Sequence, residues 1–400
     1  MGAGGSGGSK AILQTAILLT ALTGLSRVIA AEGVVTNQPT EVLASVADTC
    51  GATPPCAGVP LNVFVPNLAP GIEFTGGWLF LKPGADNLGF ATITTFLPLE
   101  NPQWAVQTLT PGYQPGFTVG ARYVLPSSGK DIRFNWEQLR TSDAMFAAVS
   151  DESTQWISPF SQTGPSTSEQ ANQVGIFHFK SAEGKVGFNY DMATIDVGQT
   201  VNLGANTQFR LFAGLSWAQL REQLVSRFYN DPNISPIPPV IGPPNVNLNY
   251  ITLNNTSLFT GLGPRLGLNS TFNLPRGFTF VGGLSGAILA GWMQPAQYSF
   301  TAVFVDATNI EQIKSNKVSQ VVYTSDAKLG LGYSRPLGNG SILSFESGFR
   351  AAIFLHPFST YETSTNVLPL DIGSLSTNSM RHTPSNFTLS GFYANCSLKF

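Results

Sequence analysis

Charge is scarce in this sequence. Of its 400 residues, 11% are Asp, Glu, Lys or Arg, against roughly 25% in an ordinary soluble domain. The formal net charge is −2, which offers no bulk attraction to nucleic acid or to an acidic partner. No Lys/Arg-rich patch interleaved with aromatics is present, so nucleic acid is not an expected partner. Long apolar runs are missing as well. Past the N-terminus no stretch reaches the roughly 18 uninterrupted apolar residues of a membrane helix. Histidine is limited to His178, His356 and His382. Without an HExxH motif or an acidic cluster, no metal site is expected. Gly261, Gly263 and Gly267 lie in a strand pattern with no helix after it. They make no dinucleotide fingerprint, and no cofactor is implied.

Cysteine is nearly absent, and its positions are informative. Cys50 and Cys56 bracket Gly51-Ala52-Thr53-Pro54-Pro55. A local disulfide suits an oxidising compartment, the alternative being two free thiols. Cys396 is left over, and the spacing fits no zinc pattern.

Glycine (41 residues) and phenylalanine (28) are abundant. Few charges, many glycines and many aromatics suit strands with one face in lipid and the other in a crowded lumen. They suit disorder poorly. At the N-terminus, Lys10 precedes an apolar run from Ala11 to Leu22, and small residues follow at Ala30 and Ala31. That order predicts a cleavable signal peptide over 1–31. Met1-Gly2-Ala3-Gly4-Gly5-Ser6 also fits a myristoylation pattern, which a Gly/Ser-rich leader matches by chance. Residues 32–70 are Pro/Ala/Val-rich without clean periodicity, and read as a periplasmic segment or strap.

From Ile72 the pattern becomes period two. Ile72, Phe74, Trp78 and Phe80 share a face. Phe117 to Leu125, the turn Pro126–Lys130, then Ile132, Phe134 and Trp136 make a hairpin. Three more pairs follow. Val186, Phe188, Tyr190 and Met192 lead to Phe209–Trp217, Leu258–Leu268 leads to Phe278–Ile288, and Leu329–Tyr333 leads to Leu343–Ile353. Long polar or Pro-rich stretches separate the pairs, at roughly 98–115, 141–184, 223–249, 291–317 and 356–384. Short turns alternating with long loops are the arrangement of a transmembrane antiparallel up-and-down β-barrel over 71–400. An even count gives about ten strands, and an extra hairpin around Tyr298–Val305 would give twelve. The last strand alternates Phe392, Ala394, Cys396, Leu398 and Phe400. A terminal aromatic is common in outer-membrane barrels, and Phe392, Leu398 and Phe400 form the expected assembly signal for the barrel-assembly machinery.

Phe74-Thr75-Gly76-Gly77-Trp78-Leu79-Phe80-Leu81-Lys82-Pro83 and Pro115-Gly116-Phe117-Thr118-Val119-Gly120-Ala121-Arg122-Tyr123 resemble the Legionella-type major outer membrane protein family, also described as pore-forming outer membrane proteins. The resemblance spans roughly 70–400. It implies a pore-forming barrel in the bacterial outer membrane with a surface able to meet environmental partners. The Pro-rich stretch Ile234–Pro244 has no counterpart there.

If the apolar face meets lipid, Glu73, Arg122, Arg133, Glu137, Asp191, Arg210, Arg265, Lys328, Glu346, Arg350 and Lys399 face the lumen. One reading is a weakly anion-favouring or zwitterionic constriction. The other is an ion-pair network filling a small barrel. Gly77, Gly120, Gly214, Gly261, Gly263, Gly283, Gly330, Gly332 and Gly348 supply either lumen space or strand curvature. Trp78, Trp136, Trp217, Tyr123, Tyr190 and Tyr333 suit interfacial belts or contacts in a homo-oligomer. Catalysis is not expected: His356, Ser359 and Glu362 are close in sequence, which is no triad geometry. The expected function is passive diffusion of small hydrophilic solutes or ions. The alternative is a closed structural or adhesive barrel acting through its loops. Either would have outer-membrane lipid and lipopolysaccharide as neighbours.

Overall fold

A computed structural model describes residues 63–66, 68–95, 104–126, 128–149, 155–160, 179–229, 248–304, 308–314, 316–338, 340–368 and 374–400. The expected signal peptide, Cys50 and Cys56 lie outside them. In chain order the strands are β1 (Val63–Phe64), β2 (Gly71–Ala85), β3 (Gly89–Thr95), β4 (Trp104–Thr108), β5 (Gln114–Val124), β6 (Lys130–Ala148), β7 (Gln155–Pro159) and β8 (Ser181–Leu203). They continue with β9 (Thr207–Tyr229), β10 (Leu248–Asn273), β11 (Phe278–Phe304), β12 (Thr308–Ile313), β13 (Val318–Pro336), β14 (Ile342–Leu368) and β15 (Ser374–Lys399).

Ten of these strands close a ring, β2-β5-β6-β8-β9-β10-β11-β13-β14-β15 and back to β2, with every neighbour antiparallel. The predicted hairpin near Tyr298 exists as β11–β12, but β12 pairs only with β11 and stays off the ring. The count is therefore ten and not twelve. Closure matters because it leaves no unpaired backbone edge for hydrocarbon to meet. β1, within the segment read as a strap, pairs with the lower end of β8. β3, β4 and β7 form a separate small sheet.

The register fixes the ring's shape. One rung runs Glu73–Arg122–Arg133–Asp196–Gly214–Arg265–Ala287–Thr324–Phe354–Phe387 and returns to β2 at Ala85. From Glu73 to Ala85 is a stagger of twelve residues. With ten strands spaced about 4.8 Å apart, that stagger tilts them by about 40°.

Where the sequence predicts loops, the strands run on. β8 and β9 are 23 residues each, and β11 and β14 are 27. A tilted strand needs only about 9–11 residues to cross a membrane. The outer apolar band matches that length: Ile72 to Phe80 on β2, Phe209 to Trp217 on β9, Leu262 to Phe272 on β10. Beyond the band the ring continues out of the membrane, on the side away from the short turns.

The side-chain pattern reverses at that boundary. On β8, Ile195 and Val197 point out and are exposed, while Val186, Phe188, Tyr190 and Met192 point in and are buried. No bulge intervenes, since β8 pairs with β9 without a break from Ser181 to Leu203. On β9, Leu211 and Leu215 point out, whereas Ala218, Leu220, Leu224 and Phe228 point in. The cause is the solvent. Inside the membrane the outer face must be apolar and the lumen can be polar. Above it, water lies outside, and the barrel is held by an apolar interior like any soluble protein. The expectation that Val186, Phe188, Tyr190 and Met192 face lipid is thereby corrected.

Candidate functional site

The interior is built in two storeys. The lower storey, inside the membrane, is charged. Asp131 on β6 is fully buried and central to it. Arg122 donates to Asp131 Oδ2 through Nη2 (2.6 Å) and Nε (3.0 Å), and approaches Glu73 at 3.4 Å. Arg210 Nε donates to Asp131 Oδ1 at 2.8 Å, and its Nη2 bridges Asp131 and Asp196, the latter at 2.6 Å. Arg265 lies 3.5 Å from Asp196 and donates to Ser285. A second network begins at Arg350, which donates to Glu137 Oε2 at 2.7 Å and clasps Asp326 through Nε (2.8 Å) and Nη2. Tyr190 and Asn135 donate to Glu137. Lys328 and Tyr393 converge on Glu346 Oε1 at 2.9 and 2.8 Å. Charges taken from water into a bilayer must be matched and hydrogen-bonded.

These networks surround a cavity of about 460 Å³ lined by side chains from all ten ring strands. It runs to Asn273, Ser334, Ser344 and Ser397 beside the short turns. Arg133 lines it and forms no ion pair among the described residues. Small residues make room for large ones. Tyr393 Oη lies 2.6 Å from where a Cβ on Gly330 would stand, and the Arg210 guanidinium lies flat over Gly198.

The upper storey is apolar. Phe188 (β8), Phe354 and Phe358 (β14) and Phe387 (β15) form a ring cluster with centroids 5.3–6.2 Å apart. Tyr190 joins it at 6.0 Å from Phe354. Leu79, Leu81, Leu139, Leu220, Phe259, Leu289 and Val322 extend the layer from β2, β6, β9, β10, β11 and β13, all buried. This layer lies above the cavity as one buried apolar cluster. Higher still, Phe90 of β3 packs over Gly184, and Phe179 meets Phe228 at 5.5 Å.

Glu73, Arg122, Arg133, Glu137, Arg210, Arg265, Lys328, Glu346 and Arg350 all line this cavity. Asp191 does not. It shares the outer face of β8 with Ile195 and pairs with exposed Arg140 at 2.6 Å. Its misplacement follows from the reversed pattern of upper β8. Lys399 sits at the rim, donating to the Ala69 carbonyl at 2.8 Å. Sequence reasoning missed Asp131, Asp196 and Asp326. Asp131 and Asp326 share faces with Arg133 and Lys328, so the alternation carried their signal; Asp196 was hidden by the wrong phase of β8. Phe392 and Leu398 lie on the outer face of β15, Leu398 opposite Phe74 and Phe392 opposite Phe80, and the exposed Phe400 follows the strand's last residue. His356 sits at φ 56° in a bulge, and the buried Ser359 Oγ has no hydrogen-bond partner among the described residues.

One carboxylate lies above the membrane-spanning part of β9, which ends at Trp217. Glu222 is 1% exposed, and Asn87 donates to its Oε2 at 3.1 Å while Oε1 has no partner among the described residues. Burial pushes it up to about 7, against a smaller opposing effect of the Asn87 bond.

The family model described as Legionella pneumophila major outer membrane protein precursor matches residues 64–400. The chain belongs to this family. Membership places this major outer membrane protein relative in the bacterial outer membrane, as the closed ring and apolar band require. A search of curated proteins finds no match. Among solved structures, the Escherichia coli outer membrane protease OmpT aligns with a TM-score of 0.36 and 11% identity, over 83% of this chain and 98% of its own. The Pseudomonas putida toluene transporter TodX aligns with a TM-score of 0.24 and 12% identity, over 82% and 89%.

Proposed function

We propose that this outer-membrane barrel is closed as built and serves the envelope through the surface it raises above the membrane, a structural or adhesive role. The observation that supports this reading is the aromatic layer. Phe188, Tyr190, Phe354, Phe358 and Phe387 occupy the bore with almost no exposure. Each ring buries a large apolar area and contacts its neighbours, so clearing a path would cost several kcal/mol. The test is single-channel recording of the refolded full chain in a planar bilayer. Closed-barrel behaviour is inserted, heat-modifiable protein with no porin-sized steps. Discrete, frequent steps from the wild type would overturn it.

The charged cavity favours a second reading, porin-like passage of small hydrophilic solutes or ions once the layer moves. Under that reading, Phe188→Ala with Phe387→Ala raises conductance, and Arg133→Glu then shifts the reversal potential in a salt gradient toward cations. Unchanged selectivity would remove Arg133 from the path.

A further inference from the structure

Among the described residues, the outward-facing cations above the apolar band are concentrated on one sector of the ring. Arg140 on β6, Lys185 on β8, and Arg221 and Arg227 on β9 are all exposed on the outer face of three consecutive strands. Arg140 and Arg221 both pair in register with Asn189. They are therefore two strand spacings apart, about 10 Å. Each stands two outward positions beyond a tryptophan of the apolar band: Trp136, Gln138, Arg140 on β6 and Trp217, Gln219, Arg221 on β9. Lys185 stands two outward positions beyond Asn189.

This sector carries four cations and two carboxylates. Asp191 holds Arg140 at 2.6 Å, and Arg140 also donates to the Leu139 and Tyr190 carbonyls at 3.1 Å. Glu183 accepts from Tyr229 at 3.1 Å. Arg227 stacks on Tyr250 and reaches Thr252. Arg221 and Lys185 have no ion-pair partner among the described residues. On β10 and β11 the equivalent outward positions, Leu258, Thr260 and Gln294, are uncharged; on the other flank, past β5, β2 carries one further outward cation, Lys82, two outward positions beyond Trp78.

We infer that this sector is a binding site for an anionic lipid headgroup carrying more than one phosphate, in the leaflet on the loop side. Its position decides between lipid and free anion. The cations begin at the upper edge of the apolar band, where acyl chains end and headgroups lie, on strands whose backbones pair in unbroken register. A guanidinium offers two parallel donors to a phosphate; Arg221 has no ion pair among the described residues to give up for it, and Arg140 exchanges its bond to Asp191. Two of them about 10 Å apart, with an ammonium above, match a headgroup with separated phosphates better than a single ion. The inference is independent of whether the bore conducts.

The test uses the refolded full chain in detergent, with the thermal midpoint of its mobility shift as readout. A disaccharide lipid with two phosphates (lipid A) raises the midpoint, its one-phosphate form raises it less, and inorganic phosphate at equal concentration leaves it unchanged. Arg140→Gln with Arg221→Gln abolishes the rise, while Arg335→Gln, an exposed cation near the short turns, preserves it. A flat wild-type response, an unaltered response in the double variant, or an equal response to inorganic phosphate would overturn the site. Should the double variant fail to fold, native mass spectrometry of the wild type decides. One retained two-phosphate lipid supports the site, and retention no better than for a neutral lipid removes it.

Discussion

A guanidinium inside a bilayer must be matched by carboxylates, and Arg350 is matched by two, Glu137 and Asp326. Removing it strands both acids in the lumen. Arg350→Ala should destabilise the barrel by about 3–5 kcal/mol, read by urea unfolding of protein refolded into lipid vesicles. A loss below about 1 kcal/mol would mean that water reaches those acids freely. Glu222 behaves in the opposite sense from most carboxylates. Its folded value, about 7, lies above its ordinary value of 4.5, so the folded state holds the proton more tightly. The stability it contributes is full at low pH and is lost as pH rises through about 7. The upper storey should therefore weaken by roughly 2–3 kcal/mol between pH 5 and 8, and Glu222→Gln should flatten that slope in hydrogen-exchange measurements. Neither residue's role was legible in sequence. Arg350 could be placed on the inner face by alternation, but its partner Asp326 is brought to it by strand pairing. Glu222 was read as the edge of a loop.

Strands show why some of the fold was readable and some was not. Within the membrane band, alternation of apolar and small or polar residues marked β2, β5, β6, β9, β10, β11, β13, β14 and β15 correctly. Short turns were equally clear, with Gly204 and Gly340 at positive φ (69° and 85°) where a side chain would be strained. Above the band the upper parts of β6, β9, β11, β14 and β15 were read as loops. Their outer residues are polar, their inner ones apolar, and the phase has flipped, so a reader following the lipid face loses the strand. β9 tests this account along a single element. Leu211→Arg, in the band, should cost roughly 2–4 kcal/mol. Gln219→Arg, eight residues further on the same face, should change stability by less than about 0.5 kcal/mol. Leu220→Ala, the next residue and inward, should cost about 2–5 kcal/mol. All three can be measured by equilibrium unfolding. A similar penalty for Leu211→Arg and Gln219→Arg would mean that the band extends further than the exposed apolar residues indicate.

At the scale of the molecule, ten strands and a stagger of twelve residues enclose a charged cavity below and a buried aromatic layer above. The ion pairs stiffen the membrane ring, and the aromatic layer gives the water-exposed ring a core. The strand number followed from parity in the sequence. The aromatic layer did not, because it depends on which rings meet across the bore. Phe188 and Phe387 are far apart in the chain, and only the circular register brings them within 5.3 Å.

The seam between β2 and β15 sets the order in which the protein can come into being. Asp86 and Asn386 join hands across it at 2.7 Å, although 300 residues separate them. Hairpins such as β5–β6 can form as they emerge, but the ring has no inside until its final residues arrive. Until then neither the guanidinium groups nor the aromatic layer has the far wall it needs. Such long-range closure is slow, because the entropy of a loop that large is lost before any contact repays it. Synthesis and export must therefore be complete before the barrel exists at all, and a chain short of its last strand is an open sheet with two raw edges in search of a partner.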